Sequence, residues 1–103
     1  MTTDESGKTV LRIEGEMTIY RANDIKQQLL DALGQSANVE IDLSGVSELD
    51  TAGLQLLMLS KKIAQANSTE FRLTGHSMAV LEVFELLDMA SFFGDQLVIQ
   101  PSL

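Results

Sequence analysis

The chain contains no cysteine, so neither a disulfide framework nor a thiolate metal site is open to it. Histidine occurs once, at His76, with no second ligand type clustered beside it. That isolation points to an exposed loop histidine rather than a metal ligand or a catalytic base. Basic residues are scarce, 7 Lys and Arg against 15 Asp and Glu, for a net charge of −8. The balance argues against nucleic acid, where a basic face supplies most of the affinity, and against an anionic membrane surface. A partner with a basic surface would be steered toward it, although the acidity serves solubility equally well. No stretch approaches the ~20 apolar residues that cross a bilayer. The first ten residues, MTTDESGKTV, lack an apolar signal core, so the expectation is a cytoplasmic protein without membrane insertion.

Signatures of chemistry are also missing. There is no Gly-x-x-x-x-Gly-Lys phosphate loop and no Gly-x-Ser-x-Gly elbow. Asp50 and Thr51 have no nearby base suited to nucleophilic catalysis. Asp42 and Asp50 are ordinary carboxylates for an acidic domain. The expectation is a protein with no catalytic residues, no metal and no cofactor.

What is present fits one globular domain spanning residues 1–103, with 45% hydrophobic residues and a flexible lead-in at 1–7. Lys8 to Glu14 reads as a strand around Val10, with Leu11 and Ile13 as further inward candidates. Gly15 interrupts it, and GEMTIY continues as a bent strand end or turn. Arg21 to Leu33 has helical spacing, with Ile25, Leu29, Leu30 and Leu33 on one face and Gly34 as C-cap. Ala37 to Leu43 alternates Val39, Ile41 and Leu43 inward. Thr51 to Ala66 reads as a helix and Thr69 to Leu73 as a strand. Ser77 to Leu87 reads as a helix capped by Ser77, with Val80, Leu81, Phe84 and Leu87 as its stripe. Leu97 to Ile99 reads as a last short strand. Strands alternating with helices indicate an α/β domain with a mostly parallel or mixed sheet, its helices mainly on one face.

The segment DLSGVSELDTAGLQLL, Asp42 to Leu57, joins a strand to a helix. The spacing predicts that the chain leaves the strand at Leu43 and crosses SGVSELD as a connection. Asp50 or Thr51 then caps the helix by accepting from a free backbone N–H. Ala52 and Gly53 leave the first turn uncrowded, so the backbone can approach something closely. Capping alone accounts for this pattern. An exposed hydroxyl at a helix N-terminus is also well placed to carry a phosphate.

This segment resembles the signature of STAS domains, named for sulfate transporters and anti-sigma-factor antagonists. LRIEGEMTIYRANDIKQQLL is similar to the family's opening strand, turn and first helix, and FRLTGHSMAVLEVFELLDMASFF to its last strand-helix unit. The resemblance implies a small mixed sheet of four to five strands with helices mainly on one face. It also implies a protein–protein switch in which a serine/threonine kinase, often an anti-sigma factor, phosphorylates the hydroxyl after the Asp and a phosphatase resets it. By position that hydroxyl is Thr51. Asp50, Thr51, Gly53, Leu54, Met58 and Thr18 are the implied partner-binding residues. Thr18 stands where many antagonists carry Asp, and Thr51 where sporulation and stress antagonists carry Ser. Thr at 51 is similar to a STAS subunit that binds the ATPase of a bacterial phospholipid ABC transporter. GEMTIYRA is similar to STAS proteins of chemotaxis clusters. The short lead-in implies a reduced or missing first edge strand.

The helix after the joint has more apolar surface than one face needs. The spacing predicts Ala52, Leu56, Leu59, Ile63 and Ala66 against the sheet. Leu54, Leu57 and Met58 would then face a neighbouring helix, a partner or a second copy in a homodimer. Phe92 and Phe93 read as a core or C-terminal docking contact.

Overall fold

The computed structural model describes residues 1–94. In chain order the elements are β1 (Thr2–Thr3), β2 (Lys8–Met17), a 3₁₀ turn (Ile19–Arg21), α1 (Ala22–Leu33), β3 (Asn38–Leu49), α2 (Thr51–Ala66), β4 (Glu70–Thr74), α3 (Met78–Leu86) and α4 (Met89–Phe93). The strands form one four-stranded sheet in the order β1-β2-β3-β4. β1 is antiparallel to β2, while β2, β3 and β4 are mutually parallel. This is the α/β architecture with a mixed sheet that the alternation predicts. Leu97 to Ile99, the candidate fifth strand, lies outside the described residues.

Alternation along the strands decides which face the helices cover. Leu11, Ile13 and Met17 of β2, Val39, Ile41 and Leu43 of β3, and Leu73 of β4 are buried. They form one core with Ile25 and Leu29 of α1, Leu54 and Leu57 of α2, and Val80 and Phe84 of α3. Each such fully buried side chain contributes roughly 1.5–3 kcal/mol relative to exposure. The intervening strand positions carry charge instead. Lys8 pairs with Glu40 at 2.6 Å and Arg12 with Asp42 at 3.8 Å. Lys8 first, with help from the Thr74 hydroxyl, holds the Glu40 carboxyl below its ordinary value.

Within residues 1–7, Thr2 and Thr3 pair with Val10 and Thr9, and Asp4 closes the hairpin by accepting from Ser6 and Lys8 N–H groups. Two expectations are corrected. β3 does not end at Leu43 but runs to Leu49, because Gly45 permits a register shift that restores inward side chains at Val46 and Leu49. On α2 the buried residues are Gly53, Leu54, Leu57, Ser60 and Ala64, while Leu59 is 39% exposed. The stripe predicted to face the sheet therefore lies beside or outside the contact. Leu56 and Ile63 face α1 instead, where they line a shallow groove with Leu29 and Leu30. Two strong apolar stripes share this helix, so periodicity alone could not choose between them.

Smaller expectations divide. Gly34 ends α1, its N–H bonding back to Leu30 and Asp31. Leu30 and Leu87 are exposed rather than part of their helices' buried stripes. Phe93 is buried and stacks on Phe84 at 5.3 Å. His76 is half-buried, edge-on to Phe84 at 5.4 Å, rather than free in solvent.

Candidate functional site

The parallel strands β2 and β3 end side by side, with Met17 opposite Leu49. Two strand-to-helix joints therefore emerge next to each other. Crevices at the carboxyl ends of parallel strands are where open α/β sheets place ligands.

At the first joint the end of β2 is bent. Register shifts fall between Arg12 and Glu14 and between Gly15 and Glu16, and Gly15 has φ +84. Glycine takes that conformation without strain. Arg21 folds back over the bend, its Nη1 donating to the carbonyl oxygens of Glu14 at 2.6 Å and Glu16 at 3.1 Å. Between bend and helix, Thr18 is buried at 6% exposure and donates its hydroxyl to Glu16 at 3.2 Å. Ile19 and Tyr20 follow on the 3₁₀ turn, 65% and 89% exposed.

The second joint is a single residue, Asp50. Its backbone is extended and its Oδ1 accepts from the N–H of Gly53 at 3.0 Å, which caps α2. Its Oδ2 accepts from the N–H of Ile19 at 3.0 Å, across to the first joint. Its own N–H donates to the Met17 carbonyl at 3.2 Å. The Gly53 and Ile19 N–H groups hold the Asp50 carboxyl below its ordinary value, because both favour the ionised form.

Gly53 is required by the same closeness. A Cβ there would lie 2.2 Å from the Met17 carbonyl oxygen and 2.9 Å from Leu49 Cδ1. The uncrowded first turn that the sequence suggests does receive a close approach, and what approaches is the end of β2.

Of the residues proposed as partner contacts, Thr51 is exposed, while Asp50 and Met58 are half-buried. Gly53 and Leu54 are turned into the core, and Thr18 is covered. Leu54 and Thr18 thus support the joint from beneath. Thr51 is exposed at the first position of α2, where helix N–H groups favour an anion. Sequence reasoning passed over Ile19 and Tyr20. Their only signal is that two bulky apolar residues precede α1 without joining its buried stripe.

No described helix is long and apolar enough to cross a membrane. Residues 1–99 match the family described as "Mlab, STAS domain". The chain belongs to the STAS domain family, whose general role is regulation and binding of proteins.

Proposed function

We propose that this chain is a non-catalytic cytoplasmic switch that docks a protein partner at the paired joints and is controlled by phosphorylation of Thr51. The observation that carries this reading is the exposed Thr51 hydroxyl at a helix start that Asp50 ties to the exposed Ile19–Tyr20 turn. A phosphate there adds roughly −1.5 to −2 charge at neutral pH. The helix end tolerates that charge, whereas an interface burying it unpaired loses several kcal/mol. The partner is of the serine/threonine kinase or anti-sigma-factor kind.

The test is affinity capture with wild-type and Thr51→Glu protein, followed by titration of the purified partner. Retention of a kinase-like regulator by wild type and its loss by Thr51→Glu is the expected result. Equal affinity of both forms for that regulator would refute control at Thr51.

One observation favours a second reading, a constitutive accessory subunit of an ABC transporter ATPase or a component of a chemotaxis cluster. Thr18, which occupies the position where switch members often carry Asp, is covered and bonded inward. This reading expects a stable stoichiometric complex with no phosphate on Thr51, read by intact mass.

A further inference from the structure

Single exposed apolar residues on a surface call for no explanation. Ile19 and Tyr20 differ because their turn is held in place from 31 residues away. No residue of the turn is buried, so core packing does not fix it. Its own N-cap residue, Thr18, makes no side-chain cap, since that hydroxyl goes to Glu16. The N–H of Ile19, at the first position of the turn, is taken by Asp50 Oδ2. One carboxylate oxygen is enough to cap α2, so the second oxygen serves the turn alone. The result is a held backbone from which two large side chains project beside Thr51. Fixing that backbone before association lowers the entropic cost of binding.

Charge narrows the occupant. Glu16 precedes the turn, Asp24 follows it in the first turn of α1, Glu48 pairs with Glu16 across the sheet, and Asp50 bonds the turn directly. The nearby cation, Arg21, is turned into the carbonyls of Glu14 and Glu16. A second copy docked on this face would set carboxylates against carboxylates on chains that each carry −8. An apolar pocket rimmed by Arg or Lys is complementary instead.

We propose that Ile19 and Tyr20 are the anchor of the docking surface, that they insert into an apolar, cation-rimmed pocket of a partner protein, and that Asp50 is their positioning residue. The proposal rests on the docking reading above and names the chemistry of its partner. Tyrosine is among the residues that most often dominate interface energetics.

The experiment has two arms. In the free chain, amide hydrogen exchange is followed by NMR for wild type and Asp50→Asn. Asparagine keeps one acceptor for Gly53 and remains a good N-cap, but its NH2 cannot accept from Ile19. Faster exchange at Ile19 with Gly53 still protected is the expected result, and unchanged exchange at Ile19 overturns the positioning role. In the second arm, a photoreactive benzoylphenylalanine replaces Tyr20 or Thr51 in the native host. The protein crosslinked from either site is purified and used as the binding probe. The anchor predicts an adduct from position 20 on a partner segment bearing Lys or Arg. It also predicts at least about thirty-fold weaker binding for Tyr20→Ala. Asp50→Asn should weaken binding by a smaller factor, and wild-type affinity should fall with added salt. An adduct with a second copy of this chain, or an adduct from position 51 but not from position 20, overturns the proposal. Normal binding by Tyr20→Ala with loss in Thr51→Glu removes the anchor and leaves the docking reading standing. Normal binding by both variants removes the docking reading itself.

Discussion

The starts of α2 and α3 are built to one local plan and used differently. Each helix is preceded by an extended residue whose side chain accepts from the N–H three positions on, Asp50 from Gly53 and Ser77 from Val80. Ser77 has one side-chain oxygen, and it caps its own helix. Asp50 has two, and the second reaches the neighbouring joint. At the third helical position α3 carries Val80, fully buried in the core, whereas α2 carries Gly53 because the Met17 carbonyl occupies the space of a side chain. A helix start that only caps can spend its third residue on packing. One that is clamped to an adjacent strand end cannot.

The sharpest way to break this comparison is to put a methyl on the clamped side. Gly53→Ala would drive Cβ into a backbone carbonyl that no rotamer change can move. The expected loss is about 3 kcal/mol or more, at the upper end for overpacking, read as a drop in denaturant midpoint. At the matching position of α3, Val80→Ala removes buried methyl groups and should cost about 2 kcal/mol. If Gly53→Ala proves the milder of the two, the clamp is looser than described.

A second contrast sharpens which side of α2 is the core. Leu57→Ala should cost about 2–5 kcal/mol and Leu59→Ala less than about 1, since Leu57 is fully buried and Leu59 is not. Equal costs would restore the stripe that periodicity predicted.

The caps themselves give the smaller effects. Ser77→Ala should lose about 1 kcal/mol. Asp50→Ala should lower the melting temperature further than Ser77→Ala, because two N–H groups lose their acceptor. Acid extends this comparison to pH. The Asp50 carboxyl titrates below its ordinary value in the folded chain, so its contribution is present above the unfolded value of 3.8 and disappears as pH falls through the folded value. Wild type should therefore lose more stability than Asp50→Asn as pH falls below 3.8 in thermal melts. Equal losses would detach the carboxylate from the joint.

Features with a local cause were legible in the sequence. The α2 boundaries, the Ser77 cap, the Asp50 cap and the alternation of Val39, Ile41 and Leu43 all follow from neighbours within a few positions. Elements set by contacts distant in sequence were not. Gly45 looked like part of a connection, yet pairing with β2 keeps it within a strand. The Asp50–Ile19 bond spans 31 residues and leaves no periodic trace. The same holds for the α2 core face, which is chosen by where α1 and the sheet sit. Thr51 was legible as an exposed helix start, and the apolar turn beside it was not.

The spatial order of the strands repeats their order along the chain. Lys8 pairs with Asn38, and Asn38 in turn with Glu70. As the polypeptide leaves a ribosome, each new strand finds its template already synthesised and adds to the growing edge. Domains commonly fold from the N-terminus during synthesis at about 5–20 residues per second, and here no strand of the described sheet waits for a partner made later than its immediate successor. The Asp50 carboxylate then acts as a latch between successive units, closing on the turn at Ile19 once the second strand-helix unit is made.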